Sequence, residues 1–107
     1  MARQMATTGS GGLRIESIGG GLRLVGVADL GTRAVLDRAL AGVPATADLH
    51  LELAQLAFID VGGVTALVAA AGRLDAGRRL VLHDPPPELL RIIDVMWGRP
   101  RTIEVHS

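Results

Sequence analysis

The sequence predicts a single α/β domain: a mixed, mostly parallel five-stranded sheet with helices mainly on one face. Its 107 residues correspond to one domain, and 49% hydrophobic residues are enough to form a core. After an initial hairpin, segments with strand periodicity alternate with segments of helix periodicity. Charged or polar residues also recur at alternate strand positions, which a sheet covered on both faces would not show. These residues are Arg14, Glu16, Arg23, His50, Glu52 and Glu104.

The N-terminal third contains a predicted tail, a hairpin and the first helix. Residues 1–12 are small, polar and glycine-rich, so we expect a flexible tail, with the domain covering residues 13–107. Residues 13–16 and 22–25 alternate apolar and charged side chains, and the glycines between them predict a hairpin turn. The residues from Asp29 to Thr32 are typical of a helix N-cap, and they predict a helix over residues 33–42.

The remainder supplies three more strands and two more helices. Residues 48–59 form the third predicted strand, and residues 63–75 form a helix that Gly77 ends. Residues 79–83 are the fourth strand. Asp84 and the prolines after it predict the start of a third helix, which stops at Gly98, and residues 102–105 are the last strand.

Composition excludes several classes of function. The chain has no cysteine, and all eleven basic residues are arginine, so thiol catalysis, Cys-ligated metals, Schiff-base lysines and P-loop lysines are absent. The formal net charge is zero, which disfavours nucleic-acid binding. No apolar stretch approaches the about 20 residues that span a bilayer, and no signal core begins the chain. We expect a cytoplasmic protein without membrane insertion, and arginine without lysine fits a GC-rich bacterial genome.

The most informative segment is the strand-to-helix junction around Asp60, Gly62 and Gly63. Free amides at a helix N-terminus attract anions, and glycines allow a close backbone approach, so a phosphate, a carboxylate or a partner's loop could dock there. The simpler interpretation, which the residues alone favour, is that Asp60 caps the helix and the glycines turn the chain.

Other candidates for chemistry are weaker. His83 and Asp84 follow a strand, but a capping aspartate with an incidental histidine explains them better than a metal or catalytic pair. His50 and His106 lie on separate strands without ligand spacing. No serine has the context of a nucleophile elbow. We therefore predict no catalytic residue, no metal site and no cofactor.

The sequence resembles the STAS family of sulphate-transporter and anti-sigma-factor-antagonist domains over about residues 13–105. Residues 24–32 resemble its Gly-Glu-Leu-Asp-Leu-Ala-Thr stretch, and residues 49–60 resemble its third strand and the approach to its switch loop. Residues 60–63, Asp-Val-Gly-Gly, fall where the family has Asp-Ser-Ser-Gly or Asp-Ser-Thr-Gly. Residues 80–93 resemble its fourth strand and third helix.

This resemblance implies a protein–protein interaction module and not an enzyme. The family's antagonists bind an anti-sigma factor, commonly a serine kinase, and thereby release a sigma factor; phosphorylation after the loop aspartate stops binding. Here Val61 and Gly62 replace both hydroxyl residues, so no phospho-acceptor is expected, and Thr65 lies within the predicted helix. Phosphorylation of Asp60 itself would need an acidic cluster and usually a lysine, which is absent.

The resemblance places the partner contact around the junction. The expected contact residues are Asp29, Thr32, Asp60, Val61, Gly62, Gly63 and Val64. A regulator resembling an anti-sigma factor antagonist, not switchable through the usual serine, is the first hypothesis. A constitutive subunit of a larger assembly, such as a transporter ATPase or a signalling scaffold, is the second. The third is an enzyme or small-ligand protein using a cleft near Asp60 and His83, since some STAS relatives bind nucleotides or lipids.

Overall fold

The computed structural model describes residues 7–10 and 12–107, which form one sheet and three α-helices. The strands are β1 (Thr7–Ser10), β2 (Leu13–Ile18), β3 (Gly21–Ala28), β4 (Leu49–Glu52), β5 (Leu56–Ile59), β6 (Leu80–His83) and β7 (Ile103–His106). The helices are α1 (Arg33–Ala41), α2 (Val61–Gly72) and α3 (Pro87–Trp97), and a 3₁₀ turn (Leu30–Thr32) precedes α1.

The sheet is mixed and mostly parallel, as predicted. The spatial order is β1-β2-β3-β4-β6-β7, with β5 also paired to β3. The pairs β1–β2 and β2–β3 are antiparallel, and the other pairs are parallel. Because β4 and β5 follow each other along the same side of β3, seven segments occupy six strand positions.

The sixth position corrects the expected five-stranded sheet and the extent of the predicted tail. Residues 7–10 pair with β2, where Thr7 lies opposite Glu16 and Ser10 opposite Leu13. The edge of β2 offers a row of backbone donors and acceptors, and a segment of any composition can satisfy them. The rest of the predicted tail is residue 12, a turn residue, and residues 1–6 and 11, which lie outside the described residues.

A bulge interrupts the third predicted strand and divides it into β4 and β5. The Leu56 amide donates to the Leu53 carbonyl at 3.1 Å, which closes a tight turn between them. Opposite this turn, Gly26 has φ +107°, and its amide donates to the Gln55 carbonyl at 3.0 Å. A Cβ at Gly26 would overlap the Gly12 carbonyl oxygen, so glycine is required there.

The three helices cover one face of the sheet, as expected. Fully buried leucines of the strands, such as Leu24 and Leu82, belong to the same core cluster as Leu36, Leu67 and Leu89 of the helices. The opposite face is open, and it carries the alternating polar and charged residues of β2, β3, β4, β6 and β7.

The boundaries of α2 and α3 differ from the predicted ones. Helix α2 begins at Val61, two residues earlier than predicted, and ends at Gly72. Helix α3 is capped by Pro86, while Asp84, the predicted cap, takes a positive φ of 53° in the preceding turn. Gly98 ends α3 in the left-handed conformation, as its position predicted.

Candidate functional site

The candidate site lies at the edge of the sheet where β3 and β5 end. Ala28 and Ile59 are register partners in these two parallel strands, and the Asp60 amide donates to the Ala28 carbonyl at 3.0 Å. Asp29 and Asp60 therefore leave neighbouring strands at the same edge, which is where ligand and partner sites commonly form in α/β sheets.

Asp60 caps helix α2, as the residues alone suggested. Its Oδ1 accepts a hydrogen bond from the Gly63 amide at 2.7 Å, which satisfies one of the free donors of the first turn. Because this bond closes the first turn, Val61 and Gly62 belong to the helix and not to a loop.

Arg33 is the second partner of the same carboxylate oxygen. Its Nη2 donates to Asp60 Oδ1 at 2.8 Å, and the two side chains are 25% and 31% exposed. The guanidinium also lies over Gly62, where a Cβ would overlap its two terminal nitrogens. Sequence reasoning missed this contact because 27 residues separate the partners and no local pattern connects them.

Gly63 and Val64 hold the start of α2 against the sheet. A Cβ at Gly63 would lie 2.7 Å from Ile59 Cγ1, so glycine lets the helix approach the end of β5. Val64 is fully buried in the core. Both residues therefore fix the position of the first turn of α2 relative to the sheet.

Thr32 has a similar internal role. Its side chain is buried, and Oγ1 accepts from the Asp29 amide at 3.0 Å and donates to the Val27 carbonyl at 3.0 Å. These bonds fix the turn that joins β3 to α1, which agrees with the predicted cap. They also leave no part of Thr32 available to a partner.

The structure separates the expected contact residues by burial. Thr32, Gly63 and Val64 are buried in this chain and expose little side-chain surface. The remaining four residues of the expected set reach the surface: Asp29, Asp60, Val61 and Gly62.

Two exposed apolar side chains lie at this edge. Val61 is 48% exposed in the first turn of α2, and Leu30 is 82% exposed in the 3₁₀ turn. Sequence reasoning took Leu30 as part of a cap and missed its exposure, although an apolar residue inside a capping turn has no core position to fill. We call Asp29, Leu30, Asp60, Val61 and Gly62 the docking edge.

The weaker candidate residues predicted from the sequence do not form part of the docking edge. Thr65 donates to the Val61 carbonyl at 2.9 Å, as an ordinary helix residue does. A cavity of about 520 Å³ lies between the β2–β3 hairpin and the carboxyl end of α1. Neither Asp60 nor His83 lines it, and His83 lies beside His50 on the open face of the sheet.

Within residues 7–10 and 12–107, no group of three or more histidine, aspartate or glutamate side chains could hold a metal ion. In the same part of the chain, no helix combines the length and apolar character needed to cross a membrane.

The fold and the docking edge define a small α/β domain with one open sheet face and a capped strand-to-helix junction at its surface. The profile of a family described as "Mlab, STAS domain" matches residues 12–96. The chain therefore belongs to the STAS family, which confirms the resemblance seen in its sequence.

A solved structure has the same fold. The unphosphorylated form of the anti-sigma factor antagonist SpoIIAA aligns with a TM-score of 0.61 and 21% sequence identity. The alignment covers 89% of this chain and 88% of SpoIIAA. No curated protein matches the sequence significantly.

Proposed function

We propose that this protein is a docking module that binds an anti-sigma factor, commonly a serine kinase, through the docking edge. Binding would release a sigma factor, so the protein acts on transcription indirectly, without catalysis and in the cytoplasm. The observation that carries the proposal is the exposed Val61, which occupies the position after Asp60 where the family's antagonists have a hydroxyl. An apolar side chain beside a neutralised carboxylate is suited to contact with another protein.

The same geometry supports a module that phosphorylation of the usual position does not switch. Val61 and Gly62 have no hydroxyl, and the Arg33 guanidinium covers Gly62. A phosphate at this edge would add nearly two negative charges beside Asp60, and no residue of the docking edge has a hydroxyl to receive it.

A second candidate is a constitutive subunit of a larger assembly, such as a transporter ATPase or a signalling scaffold. It is favoured by the permanently apolar character of Leu30 and Val61, because a surface meant for stable contact needs no switch. Both candidates use the docking edge, and they differ in the partner that occupies it.

Purification of the complex from the native host tests the proposal. Wild-type protein is compared with Val61→Glu and with Val95→Glu, a matched substitution at an exposed valine of α3. An anti-sigma kinase that is retained by wild type and Val95→Glu, and lost with Val61→Glu, supports the first candidate. A transporter ATPase with the same pattern supports the second, and a partner unaffected by Val61→Glu refutes the docking edge.

Labelling with the recovered kinase and ATP tests the missing switch. Wild-type protein should take up no phosphate at the docking edge, whereas Val61→Ser should become a substrate if the partner is such a kinase. Phosphate on the wild-type docking edge would contradict the proposal.

A further inference from the structure

The cavity between the β2–β3 hairpin and α1 lies at the opposite end of the sheet from the docking edge. Gly21 and Leu49, the first residues of β3 and β4, both line it, whereas the docking edge lies where β3 and β5 end. Its volume of about 520 Å³ falls within the range of about 300–1,000 Å³ that is usual for small-molecule sites. No residue of the docking edge lines it, so the two features are separate.

Glycines leave this space unfilled. Gly20, Gly21 and Gly42 line the cavity and contribute no side chain to it. Glycine is required at position 21, because a Cβ there would overlap the His50 carbonyl oxygen. Gly42 differs, since its backbone is right-handed helical with φ −87° and a Cβ would meet no atom closer than 3.6 Å. A larger residue at Gly42 is therefore compatible with the fold and would occupy the cavity.

The inner wall of the cavity is aliphatic. Ile15, Leu22 and Leu49 are buried, and Ile18 and Val43 are partly exposed in the same lining. No aromatic residue of the described part of the chain lines it. The hydrocarbon part of a ligand would cover apolar surface that is otherwise in contact with water, which is favourable. The lining therefore suits an aliphatic ligand better than a flat aromatic one that gains from ring stacking.

Two exposed charged residues, Arg38 and Asp48, border the cavity. The Asp48 carboxylate already has a partner, because its Oδ1 accepts a hydrogen bond from the Arg79 amide at 2.9 Å. Arg38, in the last turn of α1, forms no salt bridge within residues 7–10 and 12–107. Its guanidinium is therefore free to donate two parallel hydrogen bonds to a carboxylate.

We propose that this cavity binds a medium-chain aliphatic carboxylate, with the hydrocarbon chain against Ile15, Leu22 and Leu49 and the carboxylate on Arg38. The aliphatic lining supplies most of the affinity, because the gain from burial is proportional to the apolar area that is covered. Arg38 is exposed, so its ion pair adds little affinity but selects the sign of the head group.

Titration of the full chain with decanoate, followed by ¹⁵N NMR, tests the site. Decanol and decyltrimethylammonium are matched probes, because they have the same hydrocarbon chain and differ in the head group. We expect saturable binding of one decanoate per chain, with amide shifts at Ile18 and Val43 and none at Val61. Decanoate should bind roughly two- to fivefold more tightly than decyltrimethylammonium, as expected for one exposed ion pair.

Four variants locate the ligand. Gly42→Phe should abolish saturable binding of decanoate, because the new side chain occupies the cavity. Its matched control is Gly72→Phe in α2, where a Cβ meets nothing within 4 Å and no described cavity is lined, so affinity should stay within about twofold of wild type. Arg38→Gln should weaken decanoate roughly two- to fivefold and leave decanol unchanged. Arg91→Gln, at an exposed arginine of α3, should change neither.

Three outcomes overturn the proposal. They are equal decanoate affinity in wild type and Gly42→Phe, decyltrimethylammonium binding as tightly as decanoate, and a loss in Arg91→Gln as large as that in Arg38→Gln. Circular dichroism shows whether each variant folds. If Gly42→Phe does not fold, the wild-type shifts still decide, because shifts confined to residues outside the lining refute the site. Val61→Glu should retain full decanoate affinity, so this proposal and the docking edge can fail separately.

Discussion

Replacing Asp60 with alanine removes two interactions that meet at one oxygen atom. The Gly63 amide loses its cap, and the Arg33 guanidinium loses its only side-chain partner among the described residues. Arg33 Nε is already buried without a hydrogen-bond partner, so the guanidinium has little with which to compensate.

The expected cost follows from these two contacts. Loss of an N-cap aspartate costs about 1 kcal/mol. Loss of the ion pair adds about 1 kcal/mol, discounted from a buried pair because both side chains are about a quarter to a third exposed. For a domain of this size, about 2 kcal/mol lowers the melting temperature by roughly 8 °C.

Asparagine at the same position separates the two contributions. Asp60→Asn keeps a side-chain oxygen for the Gly63 amide, because asparagine caps helices as well as aspartate does. It removes the charge that pairs with Arg33, so we expect a loss of about 1 kcal/mol or less. Arg33→Gln should cost a similar amount, and the double variant with Asp60→Asn should cost less than the sum.

Urea unfolding followed by circular dichroism gives the free energies of unfolding of wild type and the four variants at one pH. If Asp60→Asn destabilises as much as Asp60→Ala, the hydrogen bond to the Gly63 amide makes no separate contribution to the free energy of unfolding, and the reasoning fails. It also fails if Asp60→Ala costs less than about 0.5 kcal/mol, since the junction would then contribute little to holding α2 in place.

Three further perturbations test other parts of the molecule. Gly62→Ser must displace the Arg33 guanidinium, so we expect a loss of about 1 kcal/mol that shrinks in an Arg33→Ala background, measured by urea unfolding. Leu67→Ala leaves a cavity at a fully buried core position and should lower the free energy of unfolding by about 2–5 kcal/mol. A loss below about 1 kcal/mol would show that Leu67 does not lie in the core. The pKa of Glu16 is lowered from 4.5 by hydrogen bonds from Arg23 and Arg14. Its contribution is therefore complete above its unfolded pKa and is lost as pH falls through the lower folded pKa, so the difference in urea midpoint between wild type and Glu16→Gln should disappear in acid. A difference that persists there would contradict the assignment.

The fold could be predicted largely because burial leaves a local pattern. Leu13 and Ile15 alternate with charged residues, and Val64, Leu67 and Ala71 recur at helical spacing, so each segment shows which side it buries. The strand at residues 7–10 left no such pattern, because it consists of small residues that pair with the edge of β2 through backbone hydrogen bonds.

The site could be predicted only in part, for the same reason. Asp60 was recognisable as a cap because its partner, Gly63, lies three residues away. Arg33 was not recognisable, because its contact with Asp60 depends on how β3 and β5 are paired. Helix α2 also begins two residues earlier than the glycines suggested. In this position Gly63 is buried and the Val61 side chain is exposed to solvent.

The sequence by itself determined the order of strands and helices from residue 13 onward, the open charged face, the family and the absence of a hydroxyl after Asp60. These properties depend on residue identity and on spacing within a few positions. Only the tertiary structure decided that Arg33 lies over Gly62, that Leu30 and Val61 share an edge, and that His50 and His83 meet. The residues in each of these contacts are far apart in the sequence. They meet because particular strands become neighbours in the sheet, and strand pairing depends on the packing of the whole domain.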